Sequence, residues 1–249
     1  MLDKIKTFLF KLRYGFAGFP IEMNGVAFRI DESLRRWNFA SEHAMQEAFD
    51  QILSLGDHCI DVGANFGMHT LYLAHLVGDS GKVWAFEPLP KNLDLLHRNI
   101  RINHLSHRVE IVSKVASNSS EPFLRMAGMD DPVAVAACLS NETKAGTISV
   151  SNVRLDNMFG PESAKIGLIK IDVEGAELEV LRGAEEMLKR CMPKLIIEVH
   201  GFALPKFGSS VSEFRQFLGG LGYKESIIWS DGKNTDDYFQ AIYTANTQI

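Results

Sequence analysis

Cysteine is scarce in this sequence, and long apolar runs are missing. The chain of 249 residues has three cysteines, Cys59, Cys138 and Cys191, which form no CxxC pair and are odd in number. A disulfide framework is therefore excluded, and we expect a protein of the reducing cytoplasm. No apolar run approaches the roughly 20 residues that a transmembrane helix requires, so no membrane span is predicted.

A surplus of basic residues is also missing. The 26 Lys and Arg residues are outnumbered by 31 Asp and Glu residues, which gives a formal net charge of -5. Proteins that bind nucleic acid usually present an excess of positive charge to the phosphates. The charge balance therefore argues against a nucleic-acid partner. Apolar residues make up 46 % of the chain, which is ordinary for a globular protein with a hydrophobic core.

The first 16 residues carry a basic amphipathic pattern. Lysine and arginine residues stand between apolar residues at helical spacing, namely Leu2, Ile5, Phe8, Leu9 and Leu12. Such a helix either lies on a membrane surface, here the inner membrane, or packs on the domain or on a second subunit. Packing against protein is the commoner outcome, so we favour it, or a dimer contact, over peripheral membrane contact.

From residue 57 onward, short apolar runs alternate with helical patterns. The apolar runs are HCIDVG, KVWAFEP, RVEIV, KIGLIKID and PKLIIEVH. This alternation predicts an α/β domain with a doubly wound, Rossmann-like sheet that is mainly parallel and covered by helices on both faces. The runs YKESIIW and YFQAIY are joined by the short turn SDGKNTD, so they must form a C-terminal antiparallel hairpin.

Two segments stand outside this alternation. Residues 1–50 are predicted to form an N-terminal annex of helices, with one short strand near Val26–Ile30, ahead of a main domain over residues 51–249. Residues 113–155 contain short apolar runs broken by Gly, Asn, Asp and Pro, which predicts a β-rich insertion. Such an insertion either acts as a lid that contributes specificity or extends an edge of the sheet, and the sequence supports both equally.

The first apolar run ends in a glycine turn, Asp61-Val-Gly-Ala-Asn-Phe-Gly67. Gly63 allows a tight turn and Gly67 allows close approach at the helix start, while the exposed N–H groups can hold a polar ligand. A dinucleotide-binding turn has the pattern GxGxxG, whose second and third glycines are missing here. Asn65 and Thr70 can hydrogen-bond an amino or carboxylate group, so the turn favours a ligand with an amino acid tail over a pyrophosphate.

Glu87 ends the second strand, at the same edge of the sheet as the glycine turn. A carboxylate at this place can accept hydrogen bonds from both ribose hydroxyls of a nucleoside. Its distance from the turn would also suit NAD. Glu87 therefore predicts a nucleoside cofactor without specifying which one.

Four motifs in order resemble the FkbM family of S-adenosyl-L-methionine (SAM)-dependent methyltransferases: DVGANFGMHTL, AFEPLPKNLDLLHRNI, IGLIKIDVEGAELEVLRGAEEML and LIIEVH. The resemblance covers about Asp57–His200. It implies SAM as cofactor and methylation of hydroxyl groups, on sugars of glycolipids or polysaccharides or on natural products such as polyketides. It also implies a SAM site lined by Asp61, Gly63, Asn65, Gly67, Glu87 and Asn92. The annex and the insertion lie outside the match, so the acceptor stays open.

Charged side chains follow two further strands. Asp172 and Glu174 stand in KIDVEGAE, and Glu198 and His200 stand in IIEVH. If the two strands are neighbours, these groups converge beside the methyl donor, because ligands bind outside the carboxyl ends of parallel strands. His200, whose ordinary pKa is near 6.5, is the candidate base for an acceptor hydroxyl. Asp172 either takes the proton instead or orients the acceptor.

Other roles stay open for the same residues. Asp172, Glu174, Glu198 and His200 also suit a divalent metal ion, but their spacing is not diagnostic and we do not favour a metal. Glu174 is otherwise a residue at a helix N-terminus, where acids are favoured. His200 otherwise only ends its strand. Lys170 either reaches the cleft or forms a salt bridge at the sheet edge.

The sequence thus predicts a SAM-dependent O-methyltransferase with a small-molecule or glycan acceptor. Two alternatives are a non-catalytic binding module that keeps the nucleotide fold and an NAD-dependent oxidoreductase. The intact glycine turn and Glu87 argue against the first alternative, and the missing second glycine argues against the second.

Overall fold

The computed structural model of the protein describes residues 13–15, 17–38, 42–127, 138–139, 147–160, 166–232 and 236–246. The amphipathic pattern of the first 16 residues lies almost wholly outside these ranges, so its packing, dimer or membrane role stays a prediction. Most of the apolar run Val133–Leu139 lies outside them as well. Across the described ranges, no helix combines the length and the apolar character that crossing a bilayer requires.

The described part of the annex contains a β-hairpin that the sequence only half predicted. Strand β1 (Phe19–Met23) pairs antiparallel with β2 (Val26–Ile30). Asn24 and Gly25 join them with φ angles of 44° and 80°, and an Asn-Gly pair with positive φ at both positions makes the turn that matches the twist of a hairpin. The expected annex of helices was therefore incomplete. A 3₁₀ turn and α1 (His43–Ile52) follow the hairpin.

The main domain alternates strands and helices over the rest of the chain. In chain order its elements are β3 (His58–Val62), α2 (Met68–Val77), β4 (Lys82–Phe86), α3 (Pro90–Ile102), β5 (Val109–Val112), β6 (Val115–Ala116), β7 (Phe123–Ala127), β8 (Cys138–Leu139), β9 (Ile148–Val153), α4 (Leu155–Met158), β10 (Ile166–Ile171), α5 (Glu177–Arg182), α6 (Glu185–Cys191), β11 (Lys194–His200), a 3₁₀ turn (Leu204–Phe207), α7 (Val211–Gly220), β12 (Tyr223–Ser230) and β13 (Tyr238–Ala245).

The central sheet has seven strands in the order β12-β13-β11-β10-β3-β4-β5. The strands from β11 to β5 are parallel, whereas β13 is antiparallel to both β11 and β12. The chain runs outward from β3 to β5 and then returns to β10 on the other side of β3. The gap between β3 and β10 is therefore the topological switch point, where open α/β sheets bind their ligands. This topology confirms the predicted fold class.

The segment after β5 forms a small sheet of its own. Its strands lie in the order β6-β9-β7-β8, and none of them pairs with the central sheet in the part of the insertion that the structure describes. Leu89, Val115, Met126 and Val150 form a small apolar cluster that attaches this sheet to the loop after β4. The described strands thus do not extend an edge of the central sheet, and a lid function stays a prediction.

The annex and the main domain share one hydrophobic core. Met23, Ile30 and Phe49 of the annex are buried in the same cluster as Cys59 and Leu71 of the main domain. Burial of apolar side chains contributes roughly 1.5–3 kcal/mol for each large residue, so the annex is held firmly against the sheet. Trp37 and Glu42 are thereby placed beside Gly63 and Asp172, at the carboxyl ends of β3 and β10.

Candidate active site

Two cavities open at the carboxyl ends of β3 and β10, and they share a wall. The first, which we call the β4 cavity, is lined mainly by residues that follow β3, β4, β5 and β10. The second, the β11 cavity, is lined in part by residues of β11, β13 and the annex. Gly63, Asn65, Asp172 and Glu174 line both cavities. Ligands in the two cavities would therefore meet at these residues.

The glycine turn brings the ends of three strands together. The backbone N–H groups of Gly63 and Ala64 donate to the carbonyl of Phe86, at 3.0 and 2.9 Å. Gly63 has a φ of 80°, and a Cβ on it would lie 1.8 Å from the carbonyl oxygen of Asp172. Only glycine fits this place, because any side chain would collide with the backbone that follows β10.

Glu87 stands buried in the wall of the β4 cavity. Its Oε2 accepts from the backbone N–H of Asn65 at 2.9 Å, and its Oε1 accepts from that of Leu89 at 2.8 Å. Burial raises the pKa of Glu87 to about 7, against the opposing effect of these bonds and of the Asn92 side chain. Because a carboxylate has about four lone-pair sites, Glu87 can accept a further hydrogen bond from a ligand beside these three.

Most of the remaining wall of the β4 cavity is apolar. It is formed by residues that include Phe86, Leu89, Val115, Ala116 and Met126, the last of which belongs to the insertion. Small-molecule sites typically combine apolar walls with a few placed polar groups. A nucleoside fits this chemistry, since a base packs on apolar walls while ribose hydroxyls donate to a carboxylate.

Three predicted cofactor residues lie behind the cavity walls. Asp61 is fully buried and accepts a hydrogen bond from Thr70 Oγ1 at 2.6 Å. Gly67 allows α2 to approach α3, because a Cβ there would lie 2.5 Å from Leu96 Cδ1. Neither cavity is lined by Asp61, Gly67 or Thr70. Their observed contacts support the turn, whereas Gly63, Asn65, Glu87 and Asn92 face the β4 cavity.

Lys170 fixes the shared wall from below. Its Nζ lies 3.0 Å from the carbonyl oxygen of Gly63, 3.1 Å from Asp61 Oδ1 and 3.6 Å from Asp172 Oδ2. Burial alone would lower the pKa of this lysine, but the two carboxylates outweigh burial and raise it. Lys170 therefore stays charged and forms its salt bridges at the centre of the sheet, not at an edge.

The four acidic and basic groups predicted after β10 and within β11 converge on the β11 cavity. Asp172, Glu174, Glu198 and His200 all line it. His200 Nε2 lies 3.5 Å from Glu174 Oε2 and 3.9 Å from Glu198 Oε1. Glu174 does not cap the following helix, whose N-cap is Ala176. The side chain of Glu174 thus lines the cavity and does not cap the helix.

His200 is held in its charged form. Its Nδ1 lies 2.8 Å from Oε1 of Glu177, which is fully buried. Burial alone would lower the pKa of His200, but the hydrogen bond with Glu177 and the charges of Asp172 and Glu174 outweigh it and raise this pKa to about 9. The ordinary pKa that made His200 attractive as a base does not hold here. At neutral pH this imidazole carries a proton on both nitrogens.

Glu198 has the acid–base properties that His200 lacks. Burial, followed by the charge of Asp172, raises the pKa of Glu198 to about 7, although a hydrogen bond from Tyr238 lowers it. Tyr238 Oη donates to Glu198 Oε1, and Gln240 Nε2 donates to Oε2 at 3.1 Å. A carboxylate with a pKa near neutrality can accept a proton in a reaction at that pH.

The metal alternative rests on three of the same residues. Asp172, Glu174 and His200 each place one ligand atom within 4.8 Å of the others, so this group could hold a divalent cation. A metal must first displace the proton on His200 Nε2, because only the neutral imidazole coordinates. The high pKa of His200 makes that displacement costly near neutrality.

Several residues in or beside the β11 cavity were missed by the sequence reasoning. Glu177 had a signal, because Glu177, Val180, Leu181 and Ala184 follow the spacing of one helix face and all are buried. Trp37, Glu42, His69 and Tyr238 had none, since they reach the β11 cavity from the annex, from α2 and from β13. Their positions depend on how distant elements pack.

Comparison with known proteins finds relatives that are named as methyltransferases. The chain is 31 % identical over 172 residues to the 31-O-demethyl-FK506 methyltransferase FkbM of Streptomyces tacrolimicus, which covers 58 % of this chain and 66 % of that protein. It is 30 % identical over 148 residues to the hexuronic acid methyltransferase AglP of Haloferax volcanii, covering 59 % of this chain and 57 % of that protein. The chain thus spans less than two thirds of either relative.

A solved structure shows the shared fold. A Streptococcus mutans protein in complex with SAH superposes with a TM-score of 0.51 at 14 % identity, over 80 % of this chain and 94 % of that chain. The family model of the methyltransferase FkbM domain matches residues 61–225, which is more than half of the chain. Fold and family together confirm SAM as the predicted cofactor. The chain belongs to the FkbM methyltransferase domain family.

Proposed function

We propose that this protein is a SAM-dependent methyltransferase whose acceptor is a hydroxyl group of a sugar, a glycolipid or polysaccharide, or a secondary metabolite. The observation that carries this proposal is the wall shared by the two cavities, at Gly63, Asn65, Asp172 and Glu174. One cavity has the chemistry of a nucleoside site, and the other holds proton-accepting groups. Donor and acceptor bound in them would be aligned at that wall, and alignment alone lowers a displacement barrier considerably.

The names of two relatives support an oxygen acceptor. One protein acts on a 31-O-demethyl compound and the other on a hexuronic acid. Both names fit the small-molecule or glycan acceptor expected from the sequence. The reaction type is therefore proposed for this chain, whereas the individual compounds are not.

The β4 cavity would hold the cofactor. When bound, SAM supplies a methyl group that its sulfonium activates. Glu87 accepts from the ribose hydroxyls at the lone pair that Asn65, Leu89 and Asn92 leave available. Asn92 supports that carboxylate with its own hydrogen bond.

The β11 cavity would prepare the acceptor. Asp172, at the shared wall, accepts a hydrogen bond from the acceptor hydroxyl and orients it. Glu198 takes the hydroxyl proton as the oxygen attacks, which its pKa of about 7 permits near neutral pH. His200, charged and fixed by Glu177, lowers the pKa of Glu198 and thereby keeps it ready to accept a proton.

Calorimetry tests the cofactor half of this proposal. Titration with S-adenosylhomocysteine should give one site per chain, whereas NAD should give no heat of binding. Absence of binding at millimolar S-adenosylhomocysteine would refute the proposal. Transfer of tritium from [methyl-³H]SAM to cell-extract fractions then tests the transferase half.

A further inference from the structure

The β11 cavity is rich in negative charge. Four carboxylates line it from three directions: Asp172 and Glu174 after β10, Glu198 on β11 and Glu42 at the start of α1. The side chain of Glu42 is only 18 % exposed, and its Oε2 lies 3.4 Å from His69 Nε2. The annex thus adds a carboxylate to a site whose other three come from the central sheet.

The cations of this site are already engaged with carboxylates. Lys170 contacts Asp61 and Asp172, at 3.1 and 3.6 Å. His200 contacts Glu177 at 2.8 Å and Glu174 at 3.5 Å. Two of these carboxylates, Asp61 and Glu177, lie outside the cavity lining and still draw on the same two cations. The carboxylates in and around the cavity therefore outnumber these two cations.

The charge of Glu42 reaches the centre of the cavity. It raises the pKa of Glu198 and that of Tyr238, together with the larger effects of burial and nearer charges. A negatively charged acceptor would meet the same field, in a partly desolvated space where charges interact more strongly than in water. Like charges brought together in this way weaken recognition of a ligand.

An aromatic rim adjoins this acidic cavity. The ring of Tyr238, which lines the cavity, lies 5.2 Å from that of Trp229 and 6.4 Å from that of Phe202. Phe202 is 60 % exposed and Trp229 is 38 % exposed, although both are large apolar residues. The negative face of an aromatic ring attracts C–H groups and cations and repels anions. The rim and the cavity thus favour the same kind of molecule.

We propose that the acceptor carries no negative charge beside the hydroxyl that is methylated, and that Glu42 is a specificity-determining residue for this choice. The acceptor class is a neutral or cationic hydroxylated molecule, such as an uncharged or amino sugar, and not a uronic acid or a phosphate ester. This inference rests on the proposed function, because it names the acceptor of the same site. It also separates this chain from the relative named for a hexuronic acid.

The test uses the full chain, [methyl-³H]SAM and a combined polar and lipid extract of the cells that encode it. Ion exchange first divides the extract into anionic, neutral and cationic fractions, and each fraction is then incubated with enzyme. Label should enter the neutral or cationic fraction. Label mainly in the anionic fraction overturns this inference while leaving the proposed function intact. No label in any fraction overturns the proposed function, and this inference with it.

A charge-reversal variant tests the residue. Glu42→Lys should raise the ratio of label in the anionic fraction to label in the neutral fraction by at least about tenfold. Glu47→Lys is the matched control. Glu47 lies on the same helix, its side chain is 56 % exposed, and its ion-pair partner in the described chain is His43. The control should leave the ratio unchanged. Equal ratios in both variants, with S-adenosylhomocysteine affinity retained as evidence of folding, remove Glu42 from specificity.

Discussion

The β4 cavity and the β11 cavity are built from different kinds of sequence. The polar groups that we assign to the cofactor in the β4 cavity come from two short motifs, around Gly63–Asn65 and Glu87–Asn92, and backbone N–H groups of Asn65 and Leu89 hold Glu87 in place. The β11 cavity collects side chains from the annex, α2, β10, β11 and β13. A site made of local motifs is fixed once its strands form. A site assembled from distant elements depends on tertiary packing, and its side chains can vary with the substrate.

The largest effect is expected from a substitution that removes the proton acceptor of the β11 cavity and leaves the β4 cavity intact. Glu198→Gln keeps the shape and the hydrogen bond from Tyr238 but removes the proton acceptor. We expect kcat to fall by about 10²–10⁴, the usual contribution of a general base. The affinity for S-adenosylhomocysteine, measured by calorimetry, should change by less than about twofold, because the two cavities are separate. Unchanged turnover would remove Glu198 from proton transfer.

A substitution in the shared wall should damage both cavities. Gly63→Ala places a methyl group 1.8 Å from the carbonyl oxygen of Asp172 at a φ of 80°. We expect a loss of about 3 kcal/mol or more in the free energy of unfolding, measured by urea denaturation, since both a backbone clash and positive-φ strain are introduced.

Gly160→Ala is the matched control for that variant. Among the described residues, no heavy atom lies within 4 Å of a Cβ at Gly160, and its φ is not positive. Its stability should stay within about 0.5 kcal/mol of the wild type. A Gly63→Ala protein as stable as this control would contradict the packing of the turn on Asp172.

The next largest effect is expected from a substitution that changes the β4 cavity alone. Glu87→Gln should weaken S-adenosylhomocysteine binding by about 10–100-fold, because a hydrogen bond to a charged group contributes roughly 1.5–3 kcal/mol. Glu110→Gln, in an exposed ion pair with Lys82 on a neighbouring strand, is the control and should leave affinity unchanged. Equal affinity in both variants would contradict the ribose role of Glu87.

The pH dependence sharpens the comparison, because both titrating groups that we invoke for proton transfer lie in the β11 cavity. Glu198 accepts a proton only when ionised, so kcat/KM should rise with pH up to about 7. His200→Gln should move this acidic limb to higher pH, because the charge of His200 lowers the pKa of Glu198. A wild-type profile that is flat between pH 6 and 10 would exclude this assignment.

The smallest expected effect concerns metal. Treatment with EDTA should change turnover by less than about twofold, since protonated His200 is a poor ligand. A loss of more than about tenfold, restored by Mg²⁺, would assign Asp172, Glu174 and His200 to a cation site instead.

Sequence reasoning succeeded where local pattern sets structure. The parallel strands, the C-terminal hairpin, the glycine turn and the position of Glu87 all follow from short-range periodicity and glycine placement. The strand β1 was missed although Asn24-Gly25 is a strong hairpin signal. The protonation of His200 could not be predicted, because Glu177 lies 23 residues away and reaches the ring only when α5 packs on β11. Thr70 looked like a ligand contact, but its hydroxyl is satisfied by the buried Asp61.

The most direct test of the two-cavity account is a crystal structure of the chain with S-adenosylhomocysteine. The account predicts ribose hydroxyls within about 3.2 Å of the Glu87 carboxylate. It also predicts the sulfur atom at the wall formed by Gly63, Asn65, Asp172 and Glu174, facing Glu198 across the β11 cavity. A nucleoside bound elsewhere, or a sulfur atom directed away from that wall, would contradict the account.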